Sequence, residues 1–306
     1  MLTPHRLQQR SHLLQAVRSF FYSRGYFEVD TPIRLPVLIP EPHIIPFEAD
    51  GWYLHTSPEL CMKRLLARGN SKLFQVSHCF RKEEVGRFHQ TEFTMLEWYQ
   101  AGWSYEDLMA ECESFICFLA EAEQNLDGVR NAFILLRENS EISLAQPWDR
   151  ITVDEAFRKF AGQTAHEALK DDMFDELLVT RIEPNLGWEK PVFLYDYPVE
   201  CGSLARRKEG DESLTERFEL YIAGLELANG FSELVEPDEQ RRRFEREIEK
   251  SRKAGQDYAA MPEKFLDALD HLGKTAGIAL GLDRLFMIFL GLSTVSEVVC
   301  LYSDEL

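Results

Sequence analysis

The feature that most constrains the fold is a pair of strand-like runs, residues 72–80 and 91–100, which are separated by a polar loop. Side chains at alternate positions of a strand share one face of the sheet. The two runs therefore predict an antiparallel pair of strands that presents one row of side chains from each strand to the same ligand.

The row predicted on that shared face has a composition suited to a nucleotide. An arginine fork matches a phosphate group, and a phenyl face matches a purine. A salt-bridged hairpin on the protein surface is the alternative interpretation. The side chains that alternation and the loop supply are Arg81, Glu83, Arg87, His89, Phe93, Glu97 and Tyr99.

A second strand-rich stretch, residues 216–233, carries two carboxylates that are seven positions apart, Glu219 and Glu226. One unbroken strand would place them on opposite faces. A two-residue turn at Ile222-Ala223 or at Ala223-Gly224 would fold the chain back, so that they share a face. Paired carboxylates suit Mg²⁺, which binds one or two of them together with substrate phosphates. A solvated hairpin without a metal remains the alternative.

A third element joins a short strand to a helix through glycines. Gly277 and Gly281 permit close approach of a ligand to the backbone, and Arg284 lies in the first turn of the predicted helix. A helix N-terminus and an arginine both favour phosphate. Glycine-rich strand-to-helix turns are common, so this element alone indicates little.

Hydrophobic periodicity predicts the remaining elements. The segment 123–190 is less periodic and resembles an insertion within a single domain that spans residues 1–306. The predicted helices are 5–24, one that begins at 56–59 and ends at Gly69, 105–122, short candidates near 153–160 and 170–182, a helical stretch over 237–272, and 282–292. The predicted strands outside the first pair are 27–31, a block over 192–235, and 276–280.

Composition narrows the class of protein. The chain has 306 residues, 45% of them apolar, and a net charge of −18. A protein that binds nucleic acid through phosphate contacts normally has a basic surface, so tRNA is an unexpected partner. No apolar run is long enough to cross a bilayer and no signal peptide is evident, which predicts a cytoplasmic protein. The six cysteines lack zinc spacing and are expected to be reduced thiols.

Taken together, the three elements resemble the class II aminoacyl-tRNA synthetases over nearly the whole chain. Residues 25–32 match the glycine–strand–proline part of the first family motif. Residues 80–83 and 93–97 match the second, and Gly277, Gly281 and Arg284 match the third. The resemblance implies an α+β fold, a mostly antiparallel sheet flanked by helices, together with ATP-dependent activation of an amino acid.

Residues 57–65, 89–97 and 217–233 are most similar to the lysine-specific branch. Within it, the chain resembles the truncated family of elongation factor P–lysine ligases. The predicted first helix begins near residue 5, which leaves no room ahead of it for an anticodon-binding barrel. Ala279 stands where synthetases have the middle glycine of the third motif, and in the resembling ligases alanine at this position accompanies a β-amino acid substrate.

The resemblance also implies roles for particular residues. Arg81 and Arg284 would be catalytic and hold the α- and γ-phosphates of ATP. Glu219 and Glu226 would hold Mg²⁺. The other residues implied at the nucleotide are Glu83, His89, Phe93 and Gly281. The residues implied around the amino acid are Glu59, Tyr99, Asn229, Glu233 and Ala279.

The implied reaction transfers lysine or β-lysine to a lysine of elongation factor P, in a homodimer built through the first motif. Three alternatives remain open: a lysyl-tRNA synthetase fragment that charges tRNA, a free-standing amide synthetase, and a catalytically inactive synthetase-like regulator. The last is disfavoured because the motif arginines and both metal-binding carboxylates are present.

Overall fold

The computed structural model describes residues 2–41, 43–256 and 260–301. Its helices are α1 (Pro4–Ser23), α2 (Glu59–Leu66), α3 (Tyr105–Ala122), α4 (Val153–Ala156), α5 (Ala165–Lys170), α6 (Phe174–Leu177), α7 (Pro237–Lys253), α8 (Glu263–Leu269) and α9 (Leu282–Phe289). Its strands are β1 (Phe27–Glu28), β2 (Arg34–Leu35), β3 (Glu48–Ala49), β4 (Trp52–Leu54), β5 (Lys72–Phe80), β6 (Glu92–Ala101), β7 (Val129–Asn131), β8 (Ile134–Arg137), β9 (Ser140–Ser143), β10 (Asp149–Thr152), β11 (Val192–Pro198), β12 (Arg207–Lys208), β13 (Asp211–Ile222), β14 (Leu225–Ser232) and β15 (Thr275–Gly281).

The central sheet has the strand order β1-β5-β6-β15-β14-β13-β11-β10, with β12 paired to β13. The six inner strands, β5 through β11 in that order, pair antiparallel with one another. Only the outermost pairs in this order, β1 with β5 and β10 with β11, are parallel. The α+β class and the mostly antiparallel sheet predicted from the sequence are confirmed.

One face of this sheet packs against helices. Trp98 of β6, Ile278 of β15 and Phe218 of β13 are buried in a continuous core with α1, α3 and α9. The neighbouring residues in each strand point to the opposite face, because side chains alternate along a strand. The helices therefore cover one side of the sheet, and the other side is available for a ligand.

Helix α1 is bounded by local signals that the sequence already carries. The side chain of Thr3 accepts a hydrogen bond from the backbone of Arg6, Pro4 occupies the first turn, and Gly25 follows the helix at a φ of 77°. The apolar residues Leu13 and Val17 of this helix are fully buried in the protein's own core. The apolar side of α1 is therefore covered by the protein itself.

Several expected boundaries are wrong. The strand after Gly25 covers only Phe27–Glu28, and the stretch 237–272 forms two helices, α7 and α8. The segment 123–190 contains the small sheet β7-β8-β9, the central-sheet strand β10 and the additional helix α5. Leu135 and Trp148 from this segment are buried in the main core, whereas Val153, Phe157 and Ile182 belong to a separate hydrophobic cluster with residues of β11.

Across the described ranges, none of the helices combines the length and the apolar character that a bilayer crossing requires.

Candidate active site

A cavity of about 410 Å³ lies on the face of the central sheet opposite to α3 and α9. It is bounded by the β5–β6 connection, by β13, β14 and β15, and by the first turn of α9. Its lining includes these residues singled out in the sequence: Glu59, Arg81, His89, Phe93, Glu97, Tyr99, Glu219, Glu226, Asn229, Gly277, Ala279, Gly281 and Arg284. Four separate stretches of the chain therefore meet at one site, because Glu59 of α2 joins the three motif segments.

The register of the sheet forms the floor of this cavity. Glu97 of β6 lies opposite Ala279 of β15. Ala279 in turn lies opposite Asn229 of β14, and Asn229 lies opposite Glu219 of β13. Because directly opposite residues have side chains on the same face, these four residues form one row across four strands.

The placement of Glu83 beside Arg81 is wrong. Strand β5 ends at Phe80, and residues 82 and 83 form a turn, so strand alternation does not extend to Glu83. Glu83 is exposed and does not line the cavity. Glu84 lines it instead and forms an ion pair with Arg81 at 3.2 Å.

Arg81 and Phe93 form one side of the cavity. The guanidinium carbon of Arg81 lies 5.2 Å from the centre of the Phe93 ring. The Nε atom of Arg81 is buried, with no hydrogen-bond partner in the described part of the chain. A buried donor without a partner is costly, so this atom favours an incoming acceptor such as a phosphate oxygen.

Arg284 lies at the start of α9 and contacts the loop between β5 and β6. Its Nη1 donates to the backbone oxygen of Glu226 at 2.8 Å, and its Nε donates to that of Phe88 at 3.1 Å. Its Nη2 donates to His89 Nε2 at 2.6 Å. Burial, together with the charge of Arg284, lowers the pKa of His89, which keeps that nitrogen available as an acceptor.

The hairpin that carries Glu219 and Glu226 turns at Ala223-Gly224, the second of the two predicted positions. Ile222 pairs with Leu225 across the turn. A β-bulge follows, since Leu220 pairs with Ala228 while Tyr221 pairs with Glu226. Both carboxylates line the cavity, which the hairpin interpretation required.

Glu219 is held by three donors. Its Oε2 accepts from the hydroxyl groups of Tyr197 at 2.5 Å and Tyr221 at 2.6 Å, and its Oε1 accepts from Arg217 at 2.7 Å. Burial and the neighbouring charge of Glu219 raise the pKa of Glu226. Two carboxylates that repel each other in this way fit a divalent cation, which would relieve the repulsion.

Glu183 is a residue that the sequence interpretation missed. It lies in the segment 123–190, and its Oε1 accepts a hydrogen bond from the Tyr221 hydroxyl at 3.2 Å. Burial, with Glu226 and Glu219 nearby, raises the pKa of Glu183 to about 7. No pattern in the sequence connects this position to the hairpin. In the described ranges no group of three or more acidic, histidine or cysteine side chains has the geometry to hold a metal.

The opposite end of the cavity is acidic. Glu59, Glu97 and Tyr99 line it, and the Tyr99 hydroxyl donates to Glu97 Oε2 at 2.8 Å. Burial, reinforced by Glu59, raises the pKa of Glu97 to about 8. Strand alternation with Phe93 and Tyr99 gave the sequence signal for Glu97.

Glu233 does not line the cavity. Its side chain is fully buried and pairs with Lys63, a buried residue that the sequence interpretation left without a role. Lys63 follows Glu59 by four positions in α2 and contacts it at 2.5 Å, a spacing typical of helical ion pairs. This four-residue spacing is the sequence signal that could have identified Lys63 as a partner of Glu59.

Gly277 shows why the third motif begins with glycine. A Cβ atom at this position would lie 2.2 Å from the Tyr99 ring and 2.6 Å from Glu233 Oε1. Any side chain would therefore displace groups at the acidic end of the cavity.

Comparison with known proteins agrees with this architecture. The family model described as "tRNA synthetases class II (D, K and N)" matches residues 3–304. A protein of Edwardsiella ictaluri (strain 93-146) named "Elongation factor P--(R)-beta-lysine ligase" is 37% identical, over 98% of this chain and 95% of the relative. A protein of the same name from Pectobacterium carotovorum subsp. carotovorum (strain PC1) is 38% identical, over 96% of this chain and 93% of the relative. The chain belongs to the class II tRNA synthetase family.

Proposed function

We propose that this protein is an ATP-dependent ligase that activates lysine or β-lysine as an aminoacyl-adenylate and transfers it to a lysine of elongation factor P. The observation that carries the proposal is a single cavity with arginines at one end and carboxylates at the other, joined by the row from Glu219 to Glu97. Elongation factor P as the acceptor and β-lysine as the isomer are inferred from the names of the relatives.

The first proposed step forms the adenylate. A carboxylate oxygen of the amino acid attacks the α-phosphorus of ATP, the bond between the α-phosphorus and its bridging oxygen breaks, and pyrophosphate leaves. The nucleophile is already ionised at neutral pH, so no general base is required. Catalysis then depends on positioning of the two substrates and on neutralisation of the phosphate charges.

The second proposed step forms an amide. The ε-amine of the acceptor lysine attacks the carbonyl carbon of the adenylate, the carbon–oxygen bond to the phosphate breaks, and AMP leaves. The amine loses a proton to the solvent in this step. The same cavity serves both steps because the reacting carbonyl stays where the amino acid is bound.

Residue roles follow the charges of the cavity. At the nucleotide, Arg81 would contact the α-phosphate and Arg284 the γ-phosphate, while Phe93 would stack on adenine. His89 and Gly281 would lie beside the phosphates. The residues proposed around the amino acid are Glu59, Tyr99, Asn229 and Ala279, which line the cavity, and Glu233, which would act from beneath it through its pair with Lys63.

Glu219 and Glu226 would hold Mg²⁺, which supplies charge neutralisation to the phosphates when bound. The hydrogen bonds from Tyr197, Tyr221 and Arg217 fix Glu219 in place for this role. Glu226 lines the cavity wall, and its Oε2 lies 3.4 Å from Arg284 Nη1.

The proposal also covers the cellular compartment, the oligomeric state and the acceptor of the protein. The protein acts in the cytoplasm, which fits its six free thiols in the described ranges. It works as a homodimer. Its acceptor is a protein and not tRNA, a choice supported by the names of the relatives and by the net charge of −18.

Pyrophosphate exchange tests the adenylation step directly. The enzyme is incubated with ATP, Mg²⁺ and labelled pyrophosphate, and each amino acid is added in turn. Exchange that depends on lysine or β-lysine is expected. Exchange driven by another amino acid, or by none, would contradict the proposed substrate.

A further inference from the structure

A lysine is buried beneath the acidic end of the cavity. The side chain of Lys63 is only 2% exposed, and its Nζ contacts Glu59 Oε1 at 2.5 Å and also contacts Glu233 Oε2. The rings of Phe231 and Phe265 lie 5.0 and 5.9 Å from the same nitrogen. The ammonium group is thus enclosed by two carboxylates and two apolar rings, where charges interact strongly.

The charges at this end of the cavity do not balance. Glu59, Glu97 and Glu233 contribute three carboxylates when ionised, and Lys63 contributes one ammonium group. Glu97 Oε1 and Glu233 Oε1 are buried, with no hydrogen-bond partner in the described ranges. When all three carboxyl groups are ionised, two negative charges therefore remain without a counter-ion, and two acceptor atoms remain without a partner in the described ranges.

We infer that Lys63 is a positioning residue that acts as a fixed internal counter-ion of the amino-acid pocket. It neutralises one of the three carboxylates and leaves two charges, which the two ammonium groups of a diamino acid such as lysine or β-lysine complete. An amino acid with a single ammonium group would leave one buried carboxylate unpaired. The inference rests on the proposed function, because it assigns selection between amino acids to that same pocket.

Lys63 in this role also determines how binding of the diamino acid depends on pH. Burial raises the pKa of both Glu97 and Glu233 to about 8, and Lys63 opposes this effect at each. The other titratable groups that interact with this cluster are Glu41, Glu59, Cys79 and Tyr99. A protonated carboxyl cannot pair with an ammonium group, so affinity for the diamino acid rises as the pH approaches about 8. Removal of Lys63 raises these pKa values further and moves that rise to higher pH.

The test is the affinity of the intact enzyme for β-lysine and lysine between about pH 6.5 and pH 9, a range that brackets the ionisation of raised carboxyl groups. Lys63→Met, which keeps the unbranched chain as far as its fourth atom and removes the ammonium group, is measured by calorimetry. At neutral pH we expect Lys63→Met to lose affinity by about tenfold for each unit by which the carboxyl pKa values rise. This loss should become smaller as the pH increases. Lys63→Arg retains the charge and should keep the wild-type pH profile.

Arg64→Met is the matched control, because it removes a neighbouring positive charge from α2 that forms none of the described ion pairs with the pocket carboxylates. It should leave the affinity and its pH profile unchanged. A loss in Lys63→Met that is the same at every pH, or no loss at all, would overturn the inference, since a purely structural role predicts no recovery with pH.

The double variant Lys63→Met with Glu233→Gln addresses folding. It removes both members of the buried pair, so no unpaired charge remains, and the pocket again has two carboxylates. It should fold and bind diamino acids more tightly at neutral pH than Lys63→Met does, or bind them at all if that variant does not fold. A double variant that binds diamino acids no more tightly than Lys63→Met would contradict the inference that two carboxylates of the pocket pair with the substrate. Wild-type pyrophosphate exchange separates the two claims, because absence of exchange with either isomer refutes the proposed function whatever the variants show.

Discussion

At the level of single residues, Arg81 is the group on which the nucleotide end of the cavity depends most. It lines the cavity beside Phe93, and its buried Nε lacks a partner in the described part of the chain. Arg81→Ala should lower pyrophosphate exchange by at least about a hundredfold, because removal of one transition-state donor typically has that effect. Arg158→Ala, an exposed arginine paired with Asp154, is the control. If a folded Arg81→Ala protein exchanges pyrophosphate at the wild-type rate, Arg81 does not contact the α-phosphate.

Ala279 controls the shape of the floor between the two ends. It lies opposite both Glu97 and Asn229, so its methyl group stands in the middle of the row. Ala279→Gly should raise the use of α-lysine relative to β-lysine, by an amount within the about 1–3 kcal/mol that one methyl group provides. The ratio of kcat/KM for the two isomers measures this. A ratio equal to that of the wild type would show that another residue selects the isomer.

Strand alternation predicted residue placement where a strand continues and failed where it ends. Phe93, Glu97 and Tyr99 share a face because β6 is unbroken through all three. Glu83 does not join Arg81, because strand β5 ends at Phe80 and residues 82 and 83 form a turn. Glu183 and Lys63 could not be placed from alternation, since each reaches the site through a tertiary contact.

At the level of elements, one buried ion pair connects α1 to α9 and to β6. Arg10 Nη1 donates to Asp283 Oδ1 at 2.8 Å, and the backbone nitrogen of Thr94 donates to Asp283 Oδ2 at 2.6 Å. Asp283 immediately precedes Arg284, so this pair fixes the helix turn that carries the proposed phosphate-binding residue. The Arg10–Asp283 pair therefore contributes both to the stability of the fold and to the position of Arg284 in the cavity.

Arg10→Met should lower the free energy of unfolding by about 3–5 kcal/mol, because it leaves the Asp283 carboxylate buried without its partner. Urea denaturation measures the change. Arg18→Met, which breaks the partly exposed pair with Glu28, should cost less than about 1 kcal/mol. Similar costs for the two variants would show that the Arg10 pair is not buried in solution.

Elements with local signals were predicted with bounds close to those observed, whereas β11, β13 and β14 were predicted only as one strand-rich block over 192–235. Strand β5 and helix α3 have the predicted bounds, and capping by Ser104 and Asp107 marks the start of α3. The bulge in β14 and the pairing of β10 with β11 were not predicted, because both depend on which strand lies next to which. Periodicity in one segment contains no information about its neighbour.

At the level of the whole molecule, the predicted homodimer needs an apolar surface near the first motif. The apolar side of α1 is used by the protein's own core, so it does not supply that surface. Tyr22 and Phe27 nearby are 54% and 67% exposed. We expect a dimer at micromolar concentration by sedimentation, and Phe27→Asp should dissociate it by placing a charge in the interface. A wild-type monomer would refute the dimer.

The acceptor distinguishes a protein ligase from a tRNA synthetase, and one labelling experiment identifies it. The enzyme is incubated with ATP, Mg²⁺ and radiolabelled β-lysine or lysine, with elongation factor P in one reaction and total tRNA in another. The account predicts label on elongation factor P, absent when its acceptor lysine is replaced by arginine, and little label on tRNA. Efficient charging of tRNA with no label on elongation factor P would contradict it and identify a lysyl-tRNA synthetase activity instead.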